Sequence, residues 1–125
     1  MYILTVEDTF ASAHQLRGYK GKCENIHGHN WKVVLSIKGT KLNDIGLLMD
    51  FHDIKSILKK TTDLIDHKNI NEVPPFDKIN PSSELIAKFI SDQITEELKK
   101  HGDHIQIDSV TVWESATSRC TYIPE

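Results

Sequence analysis

The hydrophobic residues of this chain change period twice, and that double change limits the folds open to it. In "MYILTVEDTFASAH", residues 1–14, Tyr2, Leu4 and Val6 take one parity and Ile3, Thr5 and Glu7 the other. Such alternation marks a strand with two distinct faces. "NWKVVLSIKG" is rich in β-branched residues and stops at Gly39, a second strand. After "KLNDIGLLM" the period becomes helical: Phe51, Ile54, Leu58 and Ile65 lie three, four and seven apart, with Asp50 placed as N-cap. Pro74, Pro75 and Pro81 then interrupt regular structure. Ser82 caps a second helix, with Leu85, Ile86, Phe89, Ile90, Ile94 and Leu98 facing inward and Gly102 as the stop. Alternation returns with Ile105 and Ile107 on one parity and Val110, Val112 and Glu114 on the other, a switch that predicts a bulge near Ser109. A short last strand runs from Arg119 to Ile123. The order is β-β-α-α-β-β, an α+β arrangement in one domain over residues 1–125.

Bulk composition narrows the function. A net charge of 15 − 18 = −3 supplies no basic face for nucleic acid. No apolar run approaches the ~20 residues of a membrane span. The first ten residues, "MYILTVEDTF", lack a basic n-region, so a cytoplasmic protein is expected, with Cys23 and Cys120 as reduced thiols.

The chemistry gathers in the long loop between the first two strands and at the mouth of the second. His27 and His29 are two apart, and period two sends both rings to one face. His14 ends the first strand and should meet them across the antiparallel pair. A catalytic zinc takes three protein ligands and keeps one position open, so His14, His27 and His29 read as a metal site. His52, His101 and His104 have no comparable geometry. Cys23, four residues before His27, could close that site as a fourth ligand or stand beside it as a base whose pKa a cation lowers. Cys120 reads as a buried, inert thiol. Asp66 next to His67 has the form of half a proton relay, although a helix-end histidine beside an acid is also common. Glu114 shares parity with buried valines and so needs partners: a salt bridge, or a planar ligand with adjacent N–H donors.

In this order and spacing, "FASAH", "C-x3-HGH", "GLLMDF", "DHKNIN", "NPSSE" and "VWES" resemble the 6-pyruvoyl-tetrahydropterin synthase family over essentially the whole chain, and its bacterial 6-carboxy-tetrahydropterin synthase branch in particular. The resemblance implies the tunnelling fold: an antiparallel sheet with two helices on one face, closed into a trimeric barrel and stacked as a homohexamer. It implies Zn2+ on His14, His27 and His29, Cys23 as catalytic thiol, and Asp66 with His67 as relay. Glu114 would anchor the pterin ring, with Ser83 and Glu84 beside it in place of the family's Thr-Glu; Ser115 stands where Thr is usual. The implied reaction converts 7,8-dihydroneopterin triphosphate to 6-carboxy-tetrahydropterin, acetaldehyde and triphosphate, towards queuosine. Arg17, Lys20 and Lys22 lie in the right loop to meet the triphosphate.

Two alternatives accompany this reading. The string "CENIHGH" resembles members that combine the cysteine with a glutamate, so Glu24 would give a second, folate-supplying capacity that releases 6-hydroxymethyl-dihydropterin. A solvated surface acid is the plainer account of Glu24. From another class comes a non-catalytic zinc-binding module, its metal closed by Cys23.

Overall fold

A computed structural model describes residues 1–19 and 24–125; Lys20, Gly21, Lys22 and Cys23 lie outside the described residues. Strands β1 (Tyr2–His14), β2 (His27–Gly39), β3 (Gln106–Ser115) and β4 (Ser118–Tyr122) form one antiparallel sheet in chain order. Helices α1 (Phe51–Thr62) and α2 (Ser83–Leu98) separate its two halves, and short 3-10 turns occupy Ile70–Glu72 and Lys99–His101. α1 packs on β1, while α2 packs on β3 and β4. No helix among the described residues is long and apolar enough to cross a membrane.

Local chemistry sets these boundaries. Asp50 caps α1 by accepting from the His52 N–H at 2.8 Å, and Ser82 caps α2 by accepting from the Leu85 N–H at 3.2 Å. α1 stops at Thr62, short of Ile65, because its last turn tightens: the Ile65 N–H donates to the Thr62 carbonyl at 3.0 Å. Ile65 is nevertheless fully buried. His67 then adopts φ 54° and turns the chain back along β1. There the His67 N–H donates to the Ala11 carbonyl at 2.6 Å and the Ala13 N–H to the Lys68 carbonyl at 3.0 Å, covering part of the free edge of β1.

The inner face of the sheet carries the core. Val6 and Phe10 of β1, Trp31, Val33, Leu35 and Ile37 of β2, and Val110 and Val112 of β3 are buried against Ile54, Leu58, Ile86, Ile90 and Ile94 of the helices. The parity switch in β3 is a bulge: Ser36 pairs with Ser109 but Ile37 with Ile107, leaving Asp108 as the extra residue. It lets Ile107 and Val110 face the same core. A second register shift lies between Trp113 and Ser115, at Glu114. Its effect is to re-aim one side chain.

Candidate active site

His14 and His27 are direct partners in the β1–β2 ladder, and His29 pairs with Ser12 two residues further in. All three side chains therefore lie on the core face, at its open end. Their ring centroids are 4.7 Å apart for His14–His27, 4.7 Å for His27–His29 and 5.4 Å for His14–His29. Trp31 forms the floor, its ring edge-on to His14 and His29 and its indole N–H donating to the Ser12 carbonyl at 3.1 Å.

The backbone around the site selects which ring nitrogen is free. His14 Nδ1 lies 2.7 Å from the Pro81 carbonyl, and His27 Nδ1 lies 2.9 Å from the Asn25 carbonyl. A carbonyl can only accept, so each Nδ1 carries a proton and Nε2 is the nitrogen that presents a lone pair in the neutral ring. This is the outer bond that metal-binding histidines use. The Nε2 atoms of His14 and His29 are buried without a hydrogen-bond partner. Burial is the main reason that the His29 pKa is lowered, against the opposing pull of Glu114. Inward imidazoles with buried, unsatisfied nitrogens on His14 and His29 fit a divalent cation, and this donor set suits zinc.

Glu114 completes the cluster. Its carboxylate and the three histidines each offer a ligand atom, all within 4.8 Å of one another. Oε1 is 3.4 Å from His29 Nε2, and Oε2 is 3.9 Å from His14 Nε2. The Ser83 hydroxyl donates to Oε2 at 3.2 Å from the first turn of α2, whose N-terminal dipole favours the negative charge. Three consecutive residues at that helix start thus serve the site: Pro81 orients His14, Ser82 caps, and Ser83 holds Glu114. Glu114 also borders a cavity of about 340 Å³ lined by Ser83, Glu84, Ser118, Arg119 and Cys120. Burial and the nearby Glu84 push the Cys120 thiol up, away from the reactive thiolate.

Glu24 is not a solvated surface acid. Its Oε2 is buried without a hydrogen-bond partner among the described residues, and its charge acts on His29. Cys23, Lys20 and Lys22 lie outside the described residues. Arg17, expected to meet triphosphate, donates from Nη2 to the Phe76 carbonyl at 2.8 Å and the Ile79 carbonyl at 2.6 Å. Asp66 and His67 are not among the clustered ligand groups. Asp66 Oδ1 accepts from the Ala11 N–H and pairs with His67 Nδ1, both at 2.9 Å, but the His67 side chain is 82% exposed. The Ala11 N–H, first, and His67 hold the Asp66 pKa below its usual value.

Two residues given no role from sequence support the loop. Asn71 accepts from the Gln15 N–H at 2.8 Å and donates to the Gln15 carbonyl at 3.0 Å. Asn80 does the same for Arg17, with both bonds at 2.8 Å. Each side-chain amide thus imitates a strand neighbour for the stem of the loop that carries Glu24. The signal was present as asparagines in a proline-interrupted stretch, but polar residues there are ordinary.

The sequence profile of the family described as 6-pyruvoyl tetrahydropterin synthase matches residues 3–125. The chain belongs to this family. A 6-pyruvoyl tetrahydrobiopterin synthase of Dictyostelium discoideum is 41% identical over 109 residues, covering 78% of this chain and 81% of that one. A 6-carboxy-5,6,7,8-tetrahydropterin synthase of Haemophilus influenzae is 33% identical over 144 aligned positions, covering 98% and 99%. The solved 6-pyruvoyl tetrahydropterin synthase of Caenorhabditis elegans superposes with a TM-score of 0.81 at 26% identity, covering 100% of this chain and 98% of that one. The four-stranded sheet with two helices is the tunnelling fold of this synthase family.

Proposed function

We propose that this member of the synthase family is a zinc-dependent lyase that converts 7,8-dihydroneopterin triphosphate to 6-carboxy-tetrahydropterin, acetaldehyde and triphosphate, a step towards queuosine. The observation that carries the reading is the adjacency of three inward histidines to Glu114, itself on the wall of a cavity. The two relatives reported above bear different product names, so the choice of product rests on this chain's residues. The three-residue gap between Cys23 and "HGH" favours the carboxy product.

When bound, zinc supplies a Lewis acid for the hydroxyls of the substrate side chain. Glu114 accepts from two adjacent ring N–H groups and, with Ser83, fixes the ring so that the side chain lies towards the histidines. Cys23 takes and returns a side-chain proton as thiolate. His67, held by Asp66, is the matching acid. Because His67 faces solvent on the outer edge of β1, it serves the centre of a neighbouring subunit in a trimer, two of which form the hexamer. Glu84, exposed at the start of α2, lines the ring pocket.

A second reading has its own observation. The Glu24 Oε2, buried without a partner among the described residues on a carboxylate whose charge acts on His29, supports a role as a further base, which would release 6-hydroxymethyl-dihydropterin. Thiolate and carboxylate at adjacent residues cannot occupy one point, so each would reach a different proton. Mass analysis of the products separates the readings. Cys23→Ala should keep zinc and abolish the carboxy product, while Glu24→Ala should abolish only a hydroxymethyl product. Loss of zinc from Cys23→Ala would instead indicate a closed, non-catalytic zinc module.

A further inference from the structure

We propose that Glu114 is shared: its carboxylate closes the metal centre as a fourth ligand while the ring pocket is empty, and leaves it when a ring with adjacent N–H donors enters. The proposal rests on the reading of Glu114 as ring anchor and adds a second, competing partner for the same oxygens.

Two buried ring nitrogens face the Glu114 carboxylate without a hydrogen bond among the described residues. His14 donates Nδ1–H to the Pro81 carbonyl, which in the neutral ring leaves the lone pair on Nε2, and that atom lies 3.9 Å from a carboxylate oxygen without a hydrogen bond among the described residues. His29 Nε2 lies 3.4 Å from the other oxygen and likewise makes no hydrogen bond. Lone pairs on buried atoms do not point at a carboxylate without a cation between them. The spacing agrees with that cation. Zinc–nitrogen and zinc–oxygen bonds near 2.1 Å in a tetrahedron place neighbouring ligand atoms about 3.4 Å apart. A hydrogen bond would be shorter.

Glu114 also stands on a boundary. It belongs both to the histidine cluster and to the lining of the cavity, which includes none of the histidines, and Ser83 Oγ donates to Oε2 from the helix start. A ring that takes both oxygens in a bidentate manner removes them from the metal. Binding energy at the ring would thereby open the position that the substrate side chain needs. Coupling of this kind is reciprocal: ring binding loosens the carboxylate's hold on the metal, and the metal weakens ring binding.

The test uses the protein loaded with cobalt(II), whose visible absorption reports the ligand set. Its probe is bare pterin, which has the ring N–H donors and no side-chain hydroxyls to chelate the ion. Without pterin, Glu114→Gln and Glu114→Ala should both differ in spectrum from the unaltered protein. Added pterin should move the unaltered protein towards the Glu114→Ala spectrum and leave the variants unchanged. Zinc release to a chelator should be faster in Glu114→Ala by on the order of tenfold or more. Identical spectra of variants and unaltered protein without pterin would overturn the proposal. Pterin that binds, as read by its own fluorescence, without altering the cobalt spectrum would overturn the exchange and leave the anchor role intact. Failure of pterin to bind at all would remove the anchor role and the exchange together.

Discussion

His14 and His27 face each other as paired residues of β1 and β2, each with Nδ1 against a backbone carbonyl and each offering Nε2 to the same point. A rigid ladder on one side and fixed tautomers on the other organise this pair before any ion arrives. The protein should therefore bind about one zinc per chain with the fold already formed. His27→Ala removes a ligand without touching the core, so zinc affinity should fall by more than the roughly 10–100-fold that losing an outer hydrogen bond costs. Undiminished zinc content in His27→Ala would exclude the site.

The stem of the loop offers a stability test. Asn80→Ala deletes both bonds to the Arg17 backbone, and Asn71→Ala both bonds to Gln15. At ~0.5–1.5 kcal/mol for each bond, either change should cost about 1–3 kcal/mol in chemical denaturation. A cost near zero would show that water replaces these amides freely.

Asp66 predicts an acid limb. Its folded pKa is depressed, mainly by the Ala11 N–H, so its bonds contribute fully above the ordinary carboxyl value of about 4. That contribution is lost as pH falls through the folded pKa. Asp66→Asn should lower stability at neutral pH and flatten the dependence of stability on pH below about 4. An acid limb unchanged in Asp66→Asn would place the depression elsewhere.

His67 predicts complementation. If its imidazole serves a neighbour, subunits carrying His67→Ala and subunits carrying His27→Ala are each inactive alone but form some intact centres when mixed. Refolded mixtures should regain turnover that neither parent shows. No recovery in mixtures proven to contain both chains would place relay and metal in one subunit.

The architecture was legible because burial imposes a period and capping imposes boundaries. Asp50 and Ser82 could be read as caps, and Ile107 against Val110 as a bulge, since each depends on neighbours in sequence. The histidine cluster was legible for a similar reason: His27 and His29 share a strand face, and a hairpin returns His14 to them. Glu114 was only half legible. Parity gave its direction, but its distance from His29 depends on the Trp113/Ser115 register shift and on Ser83, which no local pattern encodes. Arg17 was legible only as a loop guanidinium suited to phosphate; that its Nη2 also holds two carbonyls depends on the fold. Glu24 was open in sequence between a second base and a solvated acid, and the burial of its Oε2 depends on the fold.

The central claim is that the three-histidine centre carries out metal-dependent cleavage of a pterin side chain. The most direct measurement is incubation of the zinc-stripped and the zinc-restored protein with 7,8-dihydroneopterin triphosphate, followed by mass identification of the pterin released. The account predicts 6-carboxy-tetrahydropterin and acetaldehyde from the restored protein and none from the stripped one. Unchanged substrate in the presence of restored zinc, or equal turnover without the metal, would contradict it.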